Sequence, residues 1–244
     1  MAVQFVEWLQ VPPGRRWVDV GCGTGSLTAA ILARAAPLEV WGMDPEHAYV
    51  RRARERLGGD RRHFMIGDAQ ALPGELRGLD VAVSGLVLNL LPDPIAGLRE
   101  QVRVTRPDGV VAAYVWDFAG GMRLLRHLWD AAKTFDPKAA ALDQGHRYPL
   151  CRPEPLRALF ESAGLTAVDV QELQVTTSFQ DFSDYWESLV NGHGHAPAYV
   201  RSLTHGDRER LREQIRRELP TAPDGSIPLT ARAWAVRGTR SSRA

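Results

Sequence analysis

Through the first half of the chain, short apolar runs alternate with longer stretches in which apolar residues recur at helical spacing. Residues 17–20 read as a buried strand, and 26–35, rich in alanine and leucine, as a helix that Pro37 ends. The pattern repeats with a strand at 38–43, a helix at 46–57 closed by Gly58-Gly59, and strands at 63–66 and 79–84. A Leu-rich segment, 85–91, and a turn at Pro92-Asp93-Pro94 follow, with Leu90 and Leu91 expected in the core. A helix over 95–104 then leads through Pro107-Asp108-Gly109 into a fifth strand over 110–116. Alternation at these lengths predicts a parallel sheet with helices on both faces.

The second half is less regular. Met122, Leu125, Leu128 and Trp129 predict a helix within 120–135, residues 136–149 read as loop, and Gly164 stops a helix over 153–163. Residues 165–175 and 227–236 read as a sixth and a seventh strand. Between them lie about fifty residues, too many for a hairpin: an aromatic piece at 179–186, a Gly/His loop at 191–195, and a charged helix at 207–219. Leu211, Ile215 and Leu219 form one stripe on that helix. An amphipathic insertion of this size predicts a lid, residues 177–225, within a single domain spanning 1–244. The tail from Thr239 to Ala244 is expected to fray.

Composition narrows the partners. A formal charge of +1 on 244 residues provides no general field for nucleic acid. The run from Arg208 to Arg217 reads as a solvated helix face, with Glu213 and Arg217 paired at i,i+4. Cys22 and Cys151 give neither a disulfide framework nor metal spacing, so no metal is expected. No signal-peptide pattern opens the chain and no apolar run is long enough to span a bilayer, so the expected location is the cytoplasm, away from membranes.

The chemistry begins at residues 17–25, Trp-Val-Asp-Val-Gly-Cys-Gly-Thr-Gly. A glycine-rich turn between a strand and a helix lets a ligand approach the backbone. A dinucleotide fingerprint needs glycine at its first, third and sixth positions; here Gly21, Gly23 and Gly25 alternate and the sixth position is Ser26. Asp44 ends the second strand about twenty residues on, where a carboxylate can accept from both hydroxyls of a ribose. The competing role is an Asp-Pro turn capping the next helix. Residues 84–89 follow the fourth strand, where such sheets place ligand crevices, and Leu86, Val87 and Leu88 are candidates to pack on a ligand.

Together with Gly67-Asp68-Ala69 after the third strand, these motifs resemble the class I S-adenosylmethionine-dependent methyltransferases, of the broad type that includes quinone and trans-aconitate methyltransferases. Arg106-Pro107-Asp108-Gly109 is similar to their Lys/Arg-Pro-Gly-Gly turn, with Asp108 in place of a glycine. The motifs cover residues 14–118. The resemblance implies a Rossmann-like, doubly wound α/β sheet of seven strands in the order 3-2-1-4-5-7-6, the seventh antiparallel. It implies S-adenosyl-L-methionine as cofactor, held by Asp19 near the ammonium, Gly21 at the methionine arm, Asp44 at the ribose, and Asp68 and Ala69 at the adenine, with Cys22, Gly23, Pro45, Ser84 and Leu86 as further cofactor-binding residues. Many relatives carry a cap helix before the first strand. Here sixteen residues precede Trp17, so the cap is expected either reduced to residues 5–9 or truncated.

Methyl transfer is an in-line displacement that positioning alone can accelerate, and a base is needed where the acceptor must lose a proton. Trp116, Asp117, His146, Tyr148, Tyr185, Trp186, His193 and His195 are candidates at the acceptor side, with His146 and Tyr148 put forward as catalytic. The expected activity is methyl transfer to a small-molecule acceptor. The alternatives are a nucleotide-dependent oxidoreductase on a similar sheet and a non-catalytic cofactor-binding relative. Acceptor identity and oligomeric state are not encoded in these motifs.

Overall fold

β1 (Arg16–Val20) is apolar on both faces, with Trp17, Val18 and Val20 fully buried, as a central parallel strand must be. The computed structural model describes residues 1–192 and 194–242. After β1 the chain builds α2 (Ser26–Arg34), β2 (Glu39–Asp44), α3 (His47–Leu57), β3 (Arg62–Ile66), β4 (Leu79–Gly85), α4 (Pro94–Val104) and β5 (Thr105–Trp116), preceded by α1 (Ala2–Leu9). The caps are local. Glu46 accepts from Ala48 N at the start of α3, and Asp93 accepts from Ala96 N at the start of α4, where Pro94 takes the first turn.

The strand order is β3-β2-β1-β4-β5-β7-β6, with β6 (Leu165–Phe179) and β7 (Ile227–Arg240) at one side. β1 pairs in parallel with β2 and β4, β2 with β3, and β4 with β5, while β7 runs antiparallel. The order reverses between β1 and β4, which is where sheets of this kind open a crevice at their carboxyl ends. No helix among the described residues is long and apolar enough to cross a membrane.

The chain divides into two compact units. The first holds residues 1–115, 153–173 and 234–244, and includes α8 (Pro153–Ser162). In it α1 packs on α2 and buries Phe5, Val6 and Leu9; the Phe5 ring lies 4.8 Å from that of Tyr114. The segment expected as a reduced cap is thus a regular two-turn helix.

The second unit holds residues 116–152 and 174–233. Its core gathers Leu128, Trp129, Tyr185, Leu189, Leu211 and Ile215 from α5 (Arg123–Lys133), α9 (Phe182–Asn191) and α11 (His205–Glu218), with α10 (His195–Ser202) packed on α9. The loop expected over 136–149 instead contains two four-residue helices, α6 (Ala139–Leu142) and α7 (Gln144–Arg147). They are held by Asp143, which caps Gly145 and accepts from Arg126 and from Lys133 (2.7 Å), and by Gln144, which accepts from Trp129 Nε1 at 2.6 Å. Helices also fill the Gly/His segment from both sides, since α9 reaches Asn191 and α10 starts at His195; His193 lies outside the described residues.

Three strands are clearly longer than their apolar patterns indicate, β6 continuing from the expected end at residue 175 to Phe179. β5 starts at Thr105, five residues early, and Asp108 takes the left-handed backbone (φ 58°) that a glycine adopts without strain. β7 continues to Arg240, so Thr239 and Arg240 are strand residues and not frayed tail: Arg240 Nη1 donates to the carbonyls of Val102, Arg103 and Thr105. Arg243 and Ala244 lie outside the described residues.

Candidate functional site

At the carboxyl ends of β1, β2 and β3 the first unit contains a cavity of about 450 Å³. Gly21 forms its inner corner. Its φ of 75° suits glycine, and a Cβ there would stand 2.4 Å from Val87 Cγ2. The turn is fixed to the neighbouring strand because Gly21 N and Cys22 N both donate to Met43 O, at 2.7 and 2.8 Å.

Asp44 closes β2 and is buried. Its Oδ2 accepts from Gly23 N and its Oδ1 from Glu46 N, both at 2.9 Å. The carboxylate therefore ties the glycine turn to the start of α3, and each oxygen keeps lone-pair capacity for a further donor. Asp44 and Pro45 line the cavity. Beyond β3, Gly67, Asp68, Ala69 and Gln70 line it as well; Asp68 Oδ1 accepts from Gln70 N at 2.8 Å, leaving an exposed carboxylate at the rim. Gln70 Oε1 in turn accepts from Asp93 N at 2.8 Å, which ties the loop after β3 to the loop after β4.

Asp19 lies one layer deeper. It is 1% exposed, its Oδ2 accepts from the Thr28 hydroxyl at 2.6 Å, and its Oδ1 has no partner among the described residues. Burial, reinforced by the nearby Asp44 charge and opposed by the Thr28 hydrogen bonds, pushes its carboxyl up to about 7. Cys22 is buried against Val50, Ala53 and Phe64, and burial pushes its thiol up as well. Ser84 is fully buried, its hydroxyl without a partner among the described residues.

The apolar wall differs from the expected one. Leu86 sits at the end of β4 with φ 64°, its N–H donating to Tyr114 O at 2.8 Å, and does not line the cavity. A 3-10 turn over Leu88–Leu90 turns Leu88 inward, where it is 1% exposed. Leu90 and Leu91, expected in the core, line the cavity with Val87 and Pro92, and Leu90 is 64% exposed. Met43 is a further lining residue that pattern reading did not single out; its position one residue before Asp44 is the signal that pointed there.

The acceptor-side candidates fall in the second unit. His146 is exposed on α7, its N–H bonded to Asp143 O. Tyr148 and His195, 47 residues apart in sequence, are brought together: Tyr148 Oη lies 3.2 Å from His195 Nε2, and Arg147 Nη1 lies 3.4 Å from His195 Nδ1. The Phe118 ring packs 5.5 Å from that of Tyr148. Asp117 and Tyr185 are engaged in contacts of their own. Asp117 is buried in an ion pair with Arg232 at 2.6 Å, and Tyr185 is fully buried with its hydroxyl donating to Leu124 O. Trp186 stacks on Phe182, and Trp116 ends β5.

Sheet order and crevice define the Rossmann-like methyltransferase fold. A solved protein of Bacillus halodurans C-125 shares it across 99% of both chains, with a TM-score of 0.64 and 13% identity. Residues 18–113 match the family described as "Methyltransferase domain". A demethylmenaquinone methyltransferase of Desulfitobacterium hafniense (strain Y51) is 33% identical over 117 residues, 46% of this chain and 45% of that one. A trans-aconitate 2-methyltransferase of Methylobacterium radiotolerans is 37% identical over 116 residues, 48% of this chain and 44% of that one. The chain thus spans under half the length of these two relatives.

Proposed function

We propose that this chain transfers a methyl group from S-adenosyl-L-methionine to a small-molecule acceptor by in-line displacement, chiefly through proximity and orientation. The observation that carries this reading is the buried, half-satisfied Asp19 carboxylate behind a glycine turn that Asp44 holds in place. An unmatched buried oxygen calls for a cationic or donor group, and an amino-acid arm supplies one. Asp44 offers its remaining lone pairs to ribose hydroxyls, Asp68 accepts from an amine at the rim, and Val87, Leu90 and Leu91 give a planar ring an apolar wall. When bound, the cofactor supplies a methyl group on a positively charged sulfur, ready for nucleophilic displacement.

The helices between β6 and β7 serve in this reading as the lid of one methyltransferase domain. Tyr148, bonded to His195, is the acceptor-side group able to pass a proton on, for acceptors that must lose one. The two relatives named above act on small molecules by their names, which supports an acceptor of that class.

Calorimetric titration with S-adenosylhomocysteine tests the cofactor site. Asp44→Ala and Asp68→Ala are expected to weaken binding, and unchanged affinity in both variants would overturn the assignment. Single-turnover methyl transfer with Tyr148→Phe and His195→Ala tests the acceptor side. A lower rate with unchanged cofactor affinity is expected.

A further inference from the structure

A second cavity of about 460 Å³ lies in the first unit at the amino ends of β4 and β5, where Gly78 precedes one strand and Thr105 opens the other. β4 runs from this end to the cofactor crevice, so about 20 Å of strand separates the two. Arg77, Arg103, Arg106 and Arg240 line it, and among the described residues no carboxylate does.

Each guanidinium is anchored by part of its donor set. Arg103 is held by Glu100 through Nε and Nη2, at 2.7 and 2.8 Å, and Arg106 by Asp80 through Nε at 2.8 Å. Arg240 Nη1 is placed on the carbonyls that end α4, and Arg77 Nε on Gly74 O at 2.8 Å. Arg16 Nη2 braces the same loop by donating to the carbonyls of Arg77 and Gly78. Among the described residues no acceptor meets either Nη of Arg77, Nη2 of Arg106, or Nε and Nη2 of Arg240. Four positive charges therefore face one cavity; among the described residues Glu100 pairs with Arg103, and Asp80 is shared between Arg106 and Arg15, so the guanidiniums outnumber the carboxylates that meet them.

We infer that this cavity binds a phosphate-class oxyanion carrying two or more negative charges. Fixed, forked N–H donors with unused hydrogens match the tetrahedral oxygens of phosphate, and pre-anchoring lowers the entropy lost on binding. The site is separate from the cofactor crevice and does not rest on the methyl-transfer reading. No covalent step is involved.

The full chain would be titrated with inorganic pyrophosphate at constant ionic strength by isothermal calorimetry. The expected result is saturable binding at one equivalent, weakened at least tenfold by Arg77→Gln and abolished by Arg77→Glu, with S-adenosylhomocysteine affinity unchanged. Circular dichroism checks that both variants fold. The inference is overturned if pyrophosphate does not saturate, if Arg77→Glu binds it as the parent does, or if it competes with S-adenosylhomocysteine. Binding of polyglutamate without binding of pyrophosphate would also overturn it, since the patch would then be a protein-docking surface.

Discussion

The Thr28 hydroxyl donates to Asp19 Oδ2 at 2.6 Å, while Oδ1 of that buried side chain has no partner among the described residues. Burial outweighs the hydrogen bonds from Thr28, so the carboxyl is raised from 3.8 to about 7. The folded chain then holds a proton that the unfolded chain releases between those values. Stability from this group is full below pH 3.8 and is lost as pH rises through about 7, by roughly 4 kcal/mol. Asp19→Asn is expected to flatten that slope in denaturant unfolding curves recorded from pH 4 to 7.5.

The same carboxyl must ionise to meet an ammonium group. Affinity for S-adenosylhomocysteine is therefore expected to rise with pH up to about 7, by at most tenfold per unit, and then level off. Calorimetry at pH 6 in two buffers of different ionisation enthalpy should show close to one proton released on binding. No proton release would exclude Asp19 as the counter-charge.

Asp44→Ala removes the acceptor of Gly23 N and Glu46 N together, whereas Asp44→Asn keeps one oxygen. Hydrogen bonds to a charged group contribute about 1.5–3 kcal/mol. Loss of affinity on the order of 10- to 100-fold is expected for Asn and a larger loss for Ala, read from the same titration. Equal effects of the two variants would show that the turn contacts contribute nothing.

Gly21→Ala meets two obstacles, a φ of 75° and a Cβ 2.4 Å from Val87 Cγ2. Strained backbone of this sort costs about 1–3 kcal/mol. Adding Val87→Ala should relieve the contact but not the torsion, so the double variant is expected to recover part of the lost melting temperature. Full recovery would mean that the clash alone matters.

In the second unit, Asp143 is 3% exposed and joins Arg126, Lys133 and Gly145 N. Asp143→Ala leaves the Arg126 guanidinium buried without its counter-charge, at a cost of about 3–5 kcal/mol. Because Asp143 also caps α7, near-ultraviolet circular dichroism from Trp129 should weaken with the melting temperature. An unchanged melting temperature would show that the network adds nothing to stability.

Much of the first unit was legible because strand and helix periods differ and each β/α unit repeats the contrast. Asp44 and the alternate glycines could be located because their place relative to strand ends is set by backbone geometry, and Asp68 because Gly67-Asp68-Ala69 resembles a motif of the family. The apolar wall was not legible. Whether Leu88 or Leu90 turns inward depends on a single 3-10 turn, which leaves no period to read. Helices α6 and α7 span four residues each, shorter than two helical repeats, and Asp143, Gln144 and Trp129 hold them through contacts far apart in sequence. Asp143 and Lys133 are unremarkable in sequence, and the lysine's partner became visible in the folded chain alone. β5 begins early because its pairing with β4 shifts register between Leu79 and Val81, a property of two strands and not of one.

The position of β7 between β5 and β6 has a consequence for synthesis. β5 is complete at Trp116, yet its outer neighbour comes from Ile227–Arg240. While the intervening 110 residues emerge, one edge of a long apolar strand has no sheet partner, a state in which chains pair with the wrong edge. Closure of that edge must wait for the fourteen residues of β7, so the slow step in refolding is expected to be long-range strand docking and not assembly of the glycine turn.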